Sequence, residues 1–263
     1  MLDIIAIDAA LAGTPFAGKM HHFSTIDSTN TFAMGEARKG APHGSFYVAD
    51  EQSAGRGRSD HRWHSAAGDG LYLSVLLRLE IAAAELAWVP LLAGLATHRA
   101  IADTANVAAD LRWPNDILIG GSKVAGILVE APHEAGLLKP LVVGIGINIH
   151  QRGFPPDLAT PATSLDLATG RRGSRQRLLV ALLQSLHVEL AHLEAGRKAA
   201  LATIPARVEA VSTWVRGRMV EVHGPQACTG LTAGLDAAGF LLVSTASGLV
   251  TVTTGGIREA QGG

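Results

Sequence analysis

Apolar residues recur along the chain with two spacings, one typical of strands and one typical of helices. Continuous apolar runs of strand length lie at residues 45–49, 71–79, 117–119, 124–130 and 141–149. Helices are predicted at 31–39 and 86–103, and leucines at positions 179, 182, 183, 186, 190 and 193 mark an amphipathic helix that ends near Gly196. Residues 1–20 form a short lead-in that can include a strand. The pattern predicts an α+β fold with a mixed or antiparallel central sheet flanked by helices.

Turn-forming residues set the ends of several of these elements. The sequence Asp-Ser-Thr-Asn at 27–30 offers several N-cap side chains in front of the first predicted helix. Gly120-Gly121-Ser122 joins two apolar runs, and glycine supplies the positive φ that tight hairpin turns require. Lys123 is therefore predicted to emerge directly after a hairpin turn. Residues 50–70, rich in glycine and arginine, are predicted to form a loop between two strands.

The character of the sequence changes at about Trp214. From there, short β-prone segments are separated by turn signals at 224–225, 236–239 and 247–248. This spacing is typical of a small all-β unit of roughly 45–50 residues. The predicted division is a larger domain at residues 1–212 and a small C-terminal β-barrel at residues 213–263.

Composition narrows the class of protein. The 263 residues carry a formal net charge of −1, so long-range electrostatics give no reason to expect nucleic acid as a partner. Cys228 is the single cysteine, which excludes an intrachain disulfide and is compatible with a reducing compartment. No apolar run in the sequence reaches the ~18–20 residues that span a bilayer. A cytoplasmic protein without a membrane segment is expected.

Three short segments carry the candidate chemistry. Residues 55–58, Gly-Arg-Gly-Arg, combine close backbone approach with guanidinium groups suited to phosphate or carboxylate oxygens. Residues 112–116, Arg-Trp-Pro-Asn-Asp, place an amide and a carboxylate in a rigid turn near Lys123, which suits developing negative charge. Residues 144–148, Gly-Ile-Gly-Ile-Asn, place glycines inside a strand. Taken singly, the first segment is explained equally well as a surface turn, whereas ordinary turn capping explains the second better and strand packing explains the third better.

Several other patterns are incomplete. Residues 13–20 match the spacing of a phosphate-binding loop as far as Lys19, but Met20 occupies the position of the Mg²⁺-binding hydroxyl. Residues 144–149 lack the third glycine of a dinucleotide fingerprint. His61 and His64 have no nearby cysteine or third histidine to complete a zinc site. These patterns are interpreted as coincidental.

In this order, the segments resemble those of the biotin–protein ligase family. The resemblance rests on residues 27–30, 52–58, 112–116, 123–130 (Lys-Val-Ala-Gly-Ile-Leu-Val-Glu) and 144–148. It implies a catalytic domain similar to class II aminoacyl-tRNA synthetases and a C-terminal barrel of the Src-homology-3 type. It also implies a ligase-only member, because the first motif begins too early to leave room for an N-terminal helix-turn-helix.

The family assigns roles to the matching positions. The residues implied to bind biotin are Ser28, Thr29, Asn30, Gln52, Gly55, Arg56, Gly57, Lys123 and Gly126. Those implied to bind ATP or the adenylate are Arg56, Arg58, Trp63, Arg112, Asn115 and Asn148. The implied catalytic residues are Lys123, Arg58 and Asp116, the last to orient or deprotonate the incoming amine. Trp63 is expected to cover the adenylate.

The implied reaction has two steps. Biotin and Mg²⁺-ATP form biotinyl-5′-AMP, and a lysine of a biotin carboxyl carrier domain then receives the biotinyl group. Mg²⁺ is expected to arrive with ATP and not on protein ligands, and the protein is expected to be a monomer or a homodimer. Arg112 stands where the family commonly has lysine, and Ser53 where it often has glutamine. Two alternatives remain at this point: a lipoate or octanoate ligase, and a non-catalytic small-ligand sensor or DNA-binding repressor.

Overall fold

The computed structural model describes residues 2–58, 61–82, 85–131, 139–156 and 158–260. The helices are α1 (Ile4–Ala10), α2 (Thr29–Arg38), α3 (Trp88–Ala105), α4 (Leu165–Thr169) and α5 (Arg175–Glu209). The strands of the main sheet are β1 (Met20–Ile26), β2 (Phe46–Gln52), β3 (Gly70–Leu79), β4 (Asp110–Arg112), β5 (Asp116–Ile119), β6 (Ser122–Glu130) and β7 (Lys139–Asn148). Strands β8 (Arg216–His223), β9 (Cys228–Leu235), β10 (Leu241–Thr245), β11 (Gly248–Val252) and β12 (Gly256–Glu259) follow.

The main sheet has seven strands in the order β1-β2-β3-β7-β6-β5-β4. Strands β1 and β2 pair in parallel and the other neighbours pair antiparallel, as the predicted mixed sheet requires. Helices α3 and α5 pack on each other and against one face of the sheet. Leu71, Leu73, Ile145 and Ile147 contribute to this core and are almost fully buried. Each such side chain contributes about 1.5–3 kcal/mol on burial.

The opposite face of the sheet is only partly covered. Helix α2 lies on it, and Ala33 and Ala37 form a second cluster there with Tyr47, Leu76 and Val142. Ser28 caps this helix, because its hydroxyl accepts a hydrogen bond from the Thr31 backbone N–H. The candidate site lies on this face, beside the first residues of helix α2, where Thr29 and Asn30 meet strands β3 and β7.

Two predictions about helices were wrong. Residues 4–10 form helix α1, capped by Asp3, because Ile7 and Leu11 are four residues apart and both are buried. Helix α5 does not end near Gly196. The backbone kinks there at φ 179 and the helix continues to Glu209, since Ile204 and Val208 are again four residues apart and buried.

Helix α5 is long and apolar enough to cross a membrane by length and composition alone. Its most apolar 18-residue stretch has a mean hydropathy of 1.3, and 44% of that stretch is buried within the fold. The predicted leucines, Leu179, Leu182, Leu183 and Leu186, are among the most buried residues of the helix. A core helix explains its apolar character.

Strands β8–β12 form a five-stranded antiparallel sheet in the order β11-β10-β9-β8-β12. This is the small all-β unit that the sequence predicts. Two hydrogen bonds tie it to the main domain near the candidate site. The indole N–H of Trp113 donates to the Gly239 carbonyl at 3.1 Å, and Arg58 Nη1 donates to the Gly255 carbonyl at 3.0 Å.

Candidate active site

Glycines open a trough across the middle of the main sheet. The strand register places Tyr72, Gly146, Gly126 and Asp116 in one row across β3, β7, β6 and β5. A Cβ atom on Gly146 would lie 2.5 Å from Cε2 of Trp63, closer than side-chain carbons approach each other. Glycine at position 146 therefore lets the Trp63 indole lie directly against the sheet, where it covers the floor of the trough. About 470 Å³ of space, part of it open to solvent, lies in the trough.

Most of the residues predicted for the site line this trough. They are Ser28, Thr29, Asn30, Gln52, Arg56, Gly57, Arg58, Trp63, Asn115, Lys123 and Gly126. The predicted residues outside its lining are Gly55, Arg112, Asp116 and Asn148. Lining residues that the sequence did not single out as site residues are Tyr72, Leu73, Ser74, Ile127, Leu128, Gly144, Ile145 and Gly146.

One end of the trough is neutral and polar. Gln52 Oε1 accepts hydrogen bonds from the Thr29 backbone N–H at 2.9 Å and the Thr29 hydroxyl at 3.1 Å. Ser74, fully buried in strand β3, lies 2.8 Å from the Thr29 hydroxyl and 2.6 Å from Asn30 Oδ1. These hydroxyls and amides form a pre-positioned set of donors and acceptors for a neutral polar group.

Glu130, at the end of strand β6, links this polar end to the glycine-arginine loop. Its carboxylate accepts from Asn30 Nδ2 at 2.9 Å and from both terminal nitrogens of Arg56, at 3.1 and 2.9 Å. A two-pronged arginine–carboxylate pair fixes the orientation of both groups. The sequence contained one signal for this role, since Glu130 is the single acidic residue that ends an otherwise apolar run from 124.

The other end of the trough is cationic. Lys123 Nζ lies 2.6 Å from Asp116 Oδ1, and Arg112 Nη2 donates to Asp116 Oδ2, also at 2.6 Å. Burial by itself would raise the pKa of the Asp116 carboxyl, but Lys123 and Arg112 together hold that pKa below its ordinary value. Asp116 therefore stays ionised and holds the lysine ammonium at the edge of the trough.

The backbone of Lys123 is fixed as firmly as its side chain. Its N–H donates to the Pro161 carbonyl at 2.7 Å, and its carbonyl accepts from the Thr163 N–H at 2.9 Å. Asn148 Nδ2 in turn donates to the Thr163 carbonyl at 3.0 Å. Asn148 thus anchors the segment that holds Lys123 and does not face the trough itself.

Arg58 joins the trough to the turn that precedes strand β5. Its Nη1 donates to Asn115 Oδ1 at 3.1 Å, and Asn115 Nδ2 donates to the Ile127 carbonyl at 2.7 Å. Burial lowers the pKa of the Arg58 guanidinium, partly opposed by Asp116; an arginine remains charged at neutral pH regardless.

Residues 55–58 and 61–63 pair with each other and place an indole over the trough. The Gly57 N–H donates to the His61 carbonyl, and the Trp63 N–H donates to the Gly55 carbonyl. The Trp63 ring centre lies 5.4 Å from Lys123 Nζ. Its buried indole N–H has no hydrogen-bond partner among the described residues, and such groups are costly unless a ligand or water satisfies them. Gly55 serves this geometry, because a Cβ atom there would lie 2.5 Å from the Trp63 carbonyl oxygen.

Together these residues suit an elongated ligand with two different ends. Amides and hydroxyls meet a neutral polar group at one end, and Lys123 meets an anion at the other. Arg56 and Arg58 also line a wider opening of about 910 Å³ that contains Arg62 as well. Three guanidinium groups there suit a second, polyanionic ligand.

Comparisons with known proteins agree with this geometry. Residues 22–148 match the model of the Biotin/lipoate A/B protein ligase family. A biotin–[acetyl-CoA-carboxylase] ligase of Mycobacterium tuberculosis is 32% identical over 237 residues, covering 88% of this chain and 85% of that protein. The bifunctional ligase/repressor BirA of Bacillus spizizenii is 40% identical over 160 residues, covering 60% of this chain and 49% of that protein. The match thus spans about half the length of the BirA relative.

A solved structure shares the whole architecture. The biotin protein ligase from Aquifex aeolicus in complex with biotin and ATP superposes with a TM-score of 0.80 at 28% sequence identity. The superposition covers 92% of this chain and 100% of that one. Both the main sheet and the C-terminal sheet therefore have counterparts in a single known structure.

Proposed function

The chain belongs to the Biotin/lipoate A/B protein ligase family, and from that premise we propose that it is an ATP-dependent biotin–protein ligase. It activates biotin as biotinyl-5′-AMP and then transfers the biotinyl group to a lysine of a biotin carboxyl carrier domain. The observation that supports this most directly is the glycine-floored trough with Lys123 at one end and the Thr29, Gln52 and Ser74 cluster at the other.

In the first step, a biotin carboxylate oxygen forms a bond to the α-phosphorus of ATP, the bond to the β-phosphate bridging oxygen breaks, and pyrophosphate leaves. The approach of a carboxylate to a triphosphate opposes like charges, so preorganised cations must offset the repulsion. Lys123 offsets the negative charge of the carboxylate and the α-phosphate. Arg56 and Arg58 donate hydrogen bonds to the remaining phosphate oxygens. ATP enters as its Mg²⁺ complex.

In the second step, the amine of the carrier lysine attacks the carbonyl carbon of the mixed anhydride, the carbon–oxygen bond to AMP breaks, and the amine loses a proton. Asp116 is a poor base for that proton, because two cations already occupy its carboxylate and its pKa is lowered. We assign Asp116 the orienting role, as the residue that places Lys123.

A lipoate or octanoate ligase is the nearest alternative function. Its ligand has a long apolar chain, whereas the closed end of this trough presents Thr29, Asn30, Gln52 and Ser74. An apolar chain would displace water from these groups without using the hydrogen-bonding capacity that their contacts with one another leave free, at a cost of about 1–3 kcal/mol for each donor or acceptor that is left unsatisfied. These polar side chains favour the ureido ring of biotin.

The decisive experiment incubates the protein with ATP, Mg²⁺, labelled biotin and a purified carboxyl carrier domain. The expected result is release of pyrophosphate and AMP with label on one carrier lysine. Parallel incubations with labelled octanoate are expected to give no labelled carrier. Label transfer from octanoate but not from biotin would establish the alternative, and no pyrophosphate release with either acid would exclude both.

The remaining proposals follow from the same function. Residues 1–212 form the catalytic domain and residues 213–263 the Src-homology-3-type barrel. The protein acts in the cytoplasm as a monomer or homodimer, with no nucleic acid partner. Asn115 contacts the nucleotide. Asn148 and Arg112, which lie outside the trough, act on the nucleotide site through the segments that they hold.

Removing the Arg56 side chain is expected to shorten the lifetime of bound biotinyl-adenylate by about tenfold, the equivalent of one charge-assisted hydrogen bond. The reason is that Arg56 fastens the loop carrying Trp63 to Glu130. The measurement is dissociation of labelled adenylate from Arg56→Ala in a chase experiment. Arg38→Ala removes the same charge from an exposed position at the end of helix α2 and should retain the wild-type half-life. Equal half-lives for wild type and Arg56→Ala would show that the ion pair between Arg56 and Glu130 does not retain the adenylate.

A further inference from the structure

Residues 211–214, which lead into the C-terminal sheet, lie along edge strand β4 and are fastened to it. The Leu111 N–H donates to the Val211 carbonyl at 2.9 Å. The Asp110 carboxylate accepts from the Thr213 N–H at 2.9 Å and from the Thr213 hydroxyl at 2.6 Å. The C-terminal sheet is therefore joined in register to the strand that carries Arg112.

The next pair along this junction is Arg112 and Trp214. The Arg112 guanidinium carbon lies 5.3 Å from the centre of the Trp214 ring, within the range of a cation–π contact. Both residues are buried, with 7% and 5% of their surfaces exposed. The same guanidinium donates through Nη2 to Asp116 at 2.6 Å and to the Thr160 hydroxyl at 3.1 Å. Trp214 and Thr160 thus restrain the cation from two sides while it holds Asp116.

A continuous series of contacts runs from this tryptophan to the trough. Trp214 contacts Arg112, Arg112 pairs with one oxygen of Asp116, and Lys123 pairs with the other. We propose that Trp214 is a positioning residue for adenylate formation: its indole holds the Arg112 guanidinium, which fixes Asp116 and through it the Lys123 ammonium. The C-terminal sheet thereby acts on the reaction without touching a substrate. This inference rests on the proposed function, because Lys123 matters only if an anion is activated there.

The planarity of the guanidinium is central to this role. A lysine ammonium is a point charge on a flexible stem, whereas a guanidinium can stack on an indole and still direct a fixed N–H at a carboxylate. Arg112 therefore needs an aromatic face to maintain its direction, and the Trp214 ring supplies it. The strength of that restraint should follow the cation–π order, in which tryptophan exceeds phenylalanine and an aliphatic side chain contributes nothing.

The chain offers a matched control on the same ring. The Arg218 guanidinium carbon lies closer to the Trp214 ring centre, at 3.9 Å. Its other side-chain contacts are with Glu259 at 3.0 Å and with the Thr213 hydroxyl at 3.1 Å, not with Arg112, Asp116 or Lys123. Arg218→Gln therefore removes a second cation from the same ring and leaves the contacts among Trp214, Arg112, Asp116 and Lys123 in place.

The test is the single-turnover rate of pyrophosphate release from ATP and saturating biotin, with Tm and biotin affinity measured on each variant. Trp214→Leu is expected to lower the rate about five- to tenfold, the equivalent of a partly desolvated cation–π contact. The rate of Trp214→Phe should lie between those of wild type and Trp214→Leu, and the rate of Arg218→Gln should equal that of wild type. The affinity for biotin should hardly change in any of these variants. A rate that falls from tryptophan through phenylalanine to leucine at position 214 supports a positioning role. Rates that fall only in proportion to the Tm of each variant would overturn it.

The pH dependence supplies a readout that a purely structural role would not change. The charged groups that face Asp116 are Arg112 from β4 and Lys123 from β6, which pair with it, and Arg58 from the loop, which interacts with it electrostatically. When Arg112 is less well placed, the pKa of the Asp116 carboxyl is depressed less, so the acid limb of the rate profile should move to higher pH in Trp214→Leu. The limb should stay in place in Arg218→Gln. An unshifted limb in a stable Trp214→Leu variant would overturn the proposal.

The Trp214 substitutions can also be tested in an Arg112→Lys background. Arg112→Lys keeps the charge but loses the planar guanidinium beside the indole, so Trp214→Phe or Trp214→Leu should cause little additional loss of the rate in that background. If Trp214→Leu lowered the rate in the Arg112→Lys background as much as it does in the wild type, Trp214 would act by a route other than Arg112. Failure of the proposed function would be distinguishable, because the wild-type protein itself would then release no pyrophosphate with biotin.

Discussion

Alanine at position 123 is expected to slow biotin-dependent pyrophosphate release by at least about 10²-fold, the scale for losing one preorganised charge-stabilising group. Two sets of contacts hold Lys123 in place. Its side chain pairs with Asp116, and its backbone forms hydrogen bonds with Pro161 and Thr163. The cation is thus in position before the substrates arrive, and water cannot substitute for it without reorganising.

The experiment compares single-turnover rates at saturating ATP and biotin. Lys39→Ala is the matched control, because that lysine is 74% exposed and pairs with Glu36 at the surface end of helix α2. Its rate should equal that of the wild type. The Tm of Lys123→Ala should stay near the wild-type value, since Arg112 still neutralises Asp116. Pyrophosphate release by Lys123→Ala at close to the wild-type rate would refute the assignment.

Asn at position 116 is expected to lower the free energy of unfolding at neutral pH by about 3 kcal/mol, the lower end for breaking a buried ion pair on one side. The substitution leaves Arg112 and Lys123 close together without the carboxylate that neutralises them. Adenylate formation should fall as well, because Lys123 loses the group that orients it. Urea unfolding and pyrophosphate release on the same preparations measure both effects.

This stability difference should depend on pH in a defined direction. The pKa of Asp116 is lowered in the folded protein, so its contribution is fully present above the unfolded value of about 3.9 and is lost as pH falls toward the folded pKa. The difference between wild type and Asp116→Asn should therefore shrink below about pH 4. Asp103→Asn, which breaks the surface pair with Arg99, should leave stability almost unchanged. A difference that stays constant down to pH 3 would contradict the lowered pKa.

Elements with a strong local signal were predicted accurately from the sequence. The apolar run at 71–79 is strand β3, Gly70–Leu79, and the helix predicted at 86–103 is α3, Trp88–Ala105. The Gly120-Gly121 turn joins β5 to β6, and both glycines have the positive φ that such a turn requires. These features depend on neighbouring residues alone, so hydrophobic period and turn chemistry suffice to predict them.

The positions predicted less well depend on contacts between distant parts of the chain. Helix α1 is stabilised by packing of Ile7 and Leu11 on the core, which a short polar-flanked segment does not signal. Asn148 was predicted to contact the nucleotide, and its hydrogen bond to the Thr163 carbonyl is a contact that the sequence does not signal. Glu130 was read as the end of a strand, and its pairing with Arg56, which lies 74 residues away, requires the folded loop.

The sequence by itself determined the strands, the glycines that can floor a trough and the hairpin that presents Lys123, because each follows from the conformational preferences of adjacent residues. Only the tertiary structure decided which polar groups meet across that trough. Ser74 became a neighbour of Thr29 and Asn30 when helix α2 packed on the sheet, and Arg112 acquired its aromatic partner when residues 211–214 joined strand β4. The physical reason is that burial and charge pairing bring together groups from distant parts of the chain, and no local pattern encodes their distance.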